Sequence, residues 1–265
     1  MTIASTLRLS LYGAAISATL GLIGCSNATD TATTDDSATA DASKPAKTLA
    51  ITQIVEHPSL DEMRRGIIDE LADNGYIEGQ NLTLNFQSAQ GNTATAGQIA
   101  KQFAGDNPDA IVAISTPSAQ SIVASTKTVP VIYTAISDPV AAKLIDANAV
   151  PIQSNVTGLS SELPIEPQLD NIQKIAPNAK TIGYVYSPGE VNSVSVLNQL
   201  KKAAPARGLK ILEVTANRPT DVAMATRSLS GRADIIYTSL DNNVVSAFEA
   251  MAGAANELDI PVIAS

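Results

Sequence analysis

From residue 48 onward the chain alternates short β-branched apolar runs with longer amphipathic stretches, and that rhythm admits few architectures. Residues 48–55, 82–87, 110–114 and 129–134 read as strands, and each is followed by a break and, in three of the four cases, a helical pattern. After the first strand, Ser59 stands three residues before Glu62, the spacing of a capping box. Leu60, Met63, Ile67, Ile68 and Leu71 then make one helical stripe down to Asn74 and Gly75. Helices are expected over 95–104 and 117–126 as well. Residues 146–158 interrupt the rhythm, with Pro151, Asn155 and Gly158 as breakers. It resumes with helix 164–175, strand 181–186, helix 192–204, strand 210–215, helix 221–229, strand 234–237, helix 243–257 and a last apolar run at 261–264. Strands separated by helices pair in parallel through right-handed crossovers, so two such arrays predict a two-lobed α/β protein. The lobes are expected at 48–157 and 158–265, with the hinge around Asn155 and Gly158.

Composition agrees. Aromatic residues make up 3% of the chain and tryptophan is absent, which favours Ala-rich helices on parallel sheets over a β-sandwich. The formal charge of -9 argues against nucleic acid as a partner, because that requires a basic face to displace counterions. Residues 1–24 carry one cation, Arg8, and then an apolar stretch too short for a permanent span, the pattern of an export signal. Leu22-Ile23-Gly24-Cys25 resembles a bacterial lipobox, which implies a lipidated Cys25 as the first mature residue and a membrane-anchored, extracytoplasmic protein. With one cysteine in the chain, no intrachain disulfide can form. Residues 25–47 are rich in Ala, Thr, Ser and Asp and read as a flexible tether.

Four polar clusters follow apolar strands, where ligands of open parallel sheets bind. In the first, Thr116 suits a helix cap and Pro117 the first helical position. Free N–H groups at Ser118 and Ala119, with the Ser118 hydroxyl, then suit a carboxylate or phosphate. The others are Ser137-Asp138-Pro139, the run 187–193 containing Glu190, Asn192 and Ser193, and Asp241-Asn242-Asn243. Singly, each is an ordinary cap or turn. Together, a helix N-terminus for an anion and carboxylates at Asp138, Glu190 and Asp241 for a cation describe a clamp for a zwitterion. His57, the one histidine, is either part of the pocket wall or a polar loop residue before Pro58. It lacks partners for a metal site, no cofactor is expected, and without a P-loop or G-x-G-x-x-G any ATP hydrolysis would belong to a separate subunit. Ser118, His57 and Asp138 can be imagined as a hydrolytic triad, yet nothing around Ser118 resembles a G-x-S-x-G elbow.

Several ordered blocks resemble one family. They include Thr52-Gln53-Ile54-Val55-Glu56-His57-Pro58, Asn74-Gly75-Tyr76-Ile77-Glu78-Gly79-Gln80-Asn81, Ala113-Ile114-Ser115-Thr116-Pro117-Ser118-Ala119-Gln120, Gly189-Glu190-Val191-Asn192-Ser193 and Asp241-Asn242-Asn243-Val244-Val245-Ser246-Ala247. With similar blocks at 137–144, 155–158 and 177–183, they resemble substrate-binding lipoproteins of ABC transporters, of the tryptophan/tyrosine-binding type, over residues 48–265. The resemblance implies a type I periplasmic-binding-protein fold, monomeric, that closes on a small solute such as an aromatic amino acid. It also implies delivery to a permease with a separate ATPase subunit. Family members run on past the strand matching 261–264, with an acidic residue next and a return to the first lobe, so the resemblance implies an incomplete second lobe at 158–265 and a missing ligand contact beyond Ser265. A ligand-sensing module docked on a receptor is the alternative use of the same fold.

Overall fold

The computed structural model describes residues 44–148 and 150–265; the expected export signal, Cys25 and most of the expected tether lie outside them. Five parallel strands form the first sheet: β1 (Lys47–Gln53), β2 (Leu82–Ser88), β3 (Ala110–Ile114), β4 (Val131–Ile136) and β5 (Val156–Ser160), in the order β2-β1-β3-β4-β5. Helices α1 (Pro58–Asp73), α2 (Thr93–Asp106) and α3 (Thr116–Ser125) are the crossovers. Alternation along each strand sends side chains to two cores. Ile111 and Ala113 of β3 pack with Phe103 of α2 and Ile122 of α3. Val112 and Ile114 face the other way, onto the α1 stripe of Leu60, Ile67, Ile68 and Leu71.

The second sheet is also parallel. It has the order β7-β6-β8-β9, built from β6 (Thr181–Tyr186), β7 (Lys210–Thr215), β8 (Ile235–Thr238) and β9 (Val262–Ala264). Helices α4 (Ile165–Ile175) and α5 (Val191–Ala203) cover one face through Leu169, Ile172, Val196 and Leu200 against Ile182, Tyr184 and Tyr237. The other face is covered by α6 (Val222–Arg227), α7 (Asn242–Ser246) and α8 (Phe248–Glu257) through Val222, Val244 and Met251. None of the described helices is long and apolar enough to cross a membrane.

Several expectations need correction. The segment expected to be irregular up to Gly158 contains β5, which pairs with β4 through Ser160. The first lobe therefore runs past 157, and residues 161–164 make the crossing. Gly158 sits inside a sheet strand, not in a free hinge. Lys47 belongs to β1 and not to the tether, its N–H donating to Asn81 O at 2.9 Å. Helix α1 starts earlier than the capping box implied. Pro58 presets the first turn, His57 is the cap with its Nδ1 accepting from Ser59 N–H at 3.3 Å, and Glu62 pairs with Arg65 instead. The helix expected over 243–257 breaks at Ala247, where Ser246 Oγ donates to the carbonyl oxygens of Asn242 (2.8 Å) and Asn243 (3.0 Å).

Candidate functional site

The carboxyl ends of both sheets face one another, so the loops after β1, β3 and β4 meet those after β6 and β8. Between them lies a cavity of about 100 Å³. Its apolar wall is Val55, Leu60, Met63 and Ala135 from the first lobe with Leu240 and Val245 from the second. Its polar wall includes His57, Ser115, Thr116, Asn192 and Asn242. A larger depression of about 560 Å³ lies between α4 and α5, lined by residues such as Glu166 and Arg207. Those two already pair with each other at 2.9 Å, and none of the orphaned polar atoms described below lines that depression.

The anion end is built by strained backbone. Ser115 caps α3 at φ 79°, a region that only glycine enters freely, and Ala135 at the neighbouring strand end has φ 57° beside a register shift in the β4–β5 pairing. Strain of this kind costs about 1–3 kcal/mol per residue and collects at binding sites. The buried hydroxyls of Ser115, Thr116 and Ser118 have no partner among the described residues. A buried polar atom left unpaired costs about 1–3 kcal/mol, so the two that line the cavity at this helix N-terminus, on Ser115 and Thr116, mark a place for an acceptor from outside the chain. Ala119 does not take part as expected: its N–H donates to Ser115 O at 3.0 Å. Helix geometry leaves Thr116 and Ser118 N–H without intrahelical acceptors. Thr116 is the first helical residue and Ser115 the cap, one position earlier than the sequence suggested.

The opposite end is layered. Asn192, which lines the cavity, donates through Nδ2 to Glu190 Oε2 (3.1 Å) and to Leu240 O (2.9 Å), and its Oδ1 is buried without a partner among the described residues. Glu190 Oε2 also accepts from Asn242 N–H (3.0 Å) and Asn242 Nδ2 (2.7 Å). Burial, and then the adjacent Asp241 carboxylate, push Glu190 up to about 7. Asp241 is fully buried and acts as the α7 cap, accepting from Val244 N–H (3.0 Å) and Ser187 N–H (2.6 Å). Neither carboxylate is among the residues of the cavity wall: donors from their own lobe occupy Glu190 Oε2 and both oxygens of Asp241. Ser193 is likewise structural, its hydroxyl and carbonyl each 3.1 Å from Tyr184 OH.

Asp138 does something the sequence did not suggest. It accepts from Ser195 Oγ of α5, a hydrogen bond between the lobes, while its other oxygen takes Ala141 N–H at 2.8 Å. At the opposite rim, Gly91 comes so near α7 that a Cβ there would stand 3.9 Å from Asn243 Oδ1. The lobes are therefore closed on each other. Ser195→Ala, which removes a bond to a carboxylate, is expected to speed solute release about tenfold, as stopped-flow displacement would read; an unchanged release rate would rule the latch out.

Of the residues singled out from sequence, His57, Thr116, Asn192 and Asn242 line one cavity, while Ser118, Ala119, Asp138, Glu190, Ser193 and Asp241 lie outside its wall. No hydrogen bond joins Ser118, His57 and Asp138 among the described residues. Nor does any group of three metal-ligating side chains occur among the described residues. The apolar wall went unread, since Leu60 and Met63 belong to a stripe that otherwise serves the core.

Two parallel-sheet lobes closed over a strand-end cavity define a solute-binding protein. The chain belongs to the ABC transporter substrate binding protein family, whose model matches residues 48–265. It is 38% identical over 257 residues to a tyrosine-binding protein of Clostridioides difficile, covering 97% of this chain and 74% of that relative. A Streptococcus pneumoniae ABC domain in complex with L-Trp superposes with TM-score 0.79 at 31% identity, over 83% of this chain and 74% of that one. A ligand-free, open substrate binding protein from Clostridium difficile is 41% identical over the same shares, yet its TM-score is 0.58. The lobes here follow the solute-bound relative despite the lower identity.

Proposed function

We propose that this chain is the extracytoplasmic solute-binding component of an ABC importer, and that its solute is an aromatic amino acid. The observation that carries the reading is one cavity with unpaired hydroxyls and a helix N-terminus at one end and the free Asn192 amide oxygen at the other. An α-carboxylate satisfies Ser115, Thr116 and the α3 N–H groups; an α-ammonium satisfies Asn192 Oδ1, with the Glu190 charge behind it. The side chain then rests on Val55, Leu60, Met63, Leu240 and Val245. The tyrosine-binding relative and the L-Trp complex support an aromatic solute. Delivery goes to a permease driven by a separate ATPase, and the protein works as a monomer. Anchoring through Cys25 completes the reading, and a lipid mass on that residue checks it.

Calorimetric titration of the full chain with L-tryptophan, L-tyrosine, L-phenylalanine and L-leucine tests the solute. Binding of at least one aromatic amino acid, tighter than leucine, is the expected result. Absence of heat with all of them would overturn it.

A further inference from the structure

We propose that solute capture at this site is linked to the release of a proton from Glu190, so that the protein holds an amino acid more tightly as its surroundings become less acidic. The inference rests on the amino-acid reading above and concerns its regulation.

Glu190 and Asp241 are two buried carboxyl groups, 6% and 0% exposed, brought together where α5 and α7 begin. Every partner of either is neutral: Asn192 and Asn242 for Glu190, Ser187 and Val244 for Asp241. No lysine or arginine lines the cavity in front of them. The other titratable groups nearby are Tyr184 of β6, bonded to Ser193 and Ser239, His57 across the cavity, and Asp138, which holds Ser195 on α5. None of them supplies a fixed cation that compensates two adjacent buried anions, so one carboxyl group of the pair tends to keep its proton. Glu190 is the one pushed up, to about 7.

An ammonium seated on Asn192 Oδ1 changes this. Asn192 Nδ2 is bonded to Glu190 Oε2, so the arriving charge stands about one amide group, roughly 6 Å, from the carboxylate and favours its ionised form. The proton leaves the Glu190 carboxyl group for bulk water, and the site ends with one cation facing the carboxylate pair. Folding stability without solute should run the other way: a carboxyl raised from 4.5 to about 7 costs nothing below its ordinary value, and stability is lost as pH rises from there through the raised one.

The test is titration of the full chain with L-tryptophan and L-tyrosine in two buffers of different ionisation enthalpy. Near pH 6 the heats should differ by release of close to one proton per solute, and the difference should vanish above about pH 8.5. Affinity should fall by up to about tenfold per pH unit below the Glu190 midpoint. Indole-3-propionate, which lacks the ammonium, should show no such release when it binds. Glu190→Gln should abolish the release. If Glu190→Gln fails to fold, the buffer and analogue comparisons on the unaltered chain decide alone. Buffer-independent heats with L-tryptophan or L-tyrosine would overturn this proposal and leave the amino-acid reading intact. Absence of binding by L-tryptophan, L-tyrosine, L-phenylalanine and L-leucine at every pH would overturn both.

Discussion

Asp241→Ala should lower the melting temperature of the protein by roughly 6–12 °C, corresponding to about 3 kcal/mol. Asp241 is 0% exposed, and its carboxylate takes Ser187 N–H at 2.6 Å and Val244 N–H at 3.0 Å, with Ser187 Oγ at 2.9 Å. Alanine leaves two buried N–H groups without an acceptor, at about 1–3 kcal/mol each, and removes the cap of α7. One term opposes this: Glu190 loses its anionic neighbour, which eases part of its own penalty. The unpaired donors outweigh that relief because they are lost in full. Asp241→Asn, which keeps one acceptor oxygen, should lose about half as much. Calorimetry reads the change, and hydrogen exchange should locate it at the start of α7 and the end of β6. A melting point within about 2 °C of the parent would show that Asp241 is not the pin that joins these loops.

The same residue shows why the site was only partly legible in the sequence. Strands β3, β6 and β7 lie where the β-branched runs put them, at Ala110–Ile114, Thr181–Tyr186 and Lys210–Thr215. Each is a short apolar or alternating run bounded by turn residues, so local pattern suffices. Parallel pairing then sends all the following loops, and the polar clusters on them, to one edge. What local pattern cannot say is which polar residue faces the cavity and which stands behind it. That is decided by bonds across 52 and 54 residues, Glu190 to Asn242 and Ser187 to Asp241. Sequence reasoning put the charges on the wall because charges suit a zwitterion, whereas the fold spends them on orienting amides. Strand β5 was missed for a related reason. Only Val156 of its five residues is buried, and Leu159 is 70% exposed, so it carries no alternation. Its identity as a strand comes from β4.

That dependence makes Gly158 the position where the smallest change should have a large effect. Gly158 pairs with Tyr133 of β4, and the Tyr133 ring lies over it. A Cβ at 158 would stand 2.2 Å from Tyr133 O and 2.5 Å from the ring carbons Cγ and Cδ2. The glycine is required for space and not for an unusual φ. Tyr133 cannot yield, because it is 4% exposed and packed in the first-lobe core, and β4 is held on its other side by β3. Strand β5 must move instead, and it has little burial of its own to resist. Gly158→Ala should therefore cost about 2–4 kcal/mol, at the upper end for an overpacked site. The effect should reach the cavity. Ser161, one residue beyond β5, donates its N–H to Ile136 O at 2.7 Å and lines the cavity wall, so a displaced β5 carries a wall residue and the start of the interlobe crossing with it. Solute affinity should fall about tenfold along with the melting temperature, and hydrogen exchange should show protection lost in β5 while β1 and β3 keep theirs. A Gly158→Ala protein with parental melting temperature and a protected β5 would mean that Tyr133 can turn aside, and that the β4–β5 contact is looser than its geometry implies.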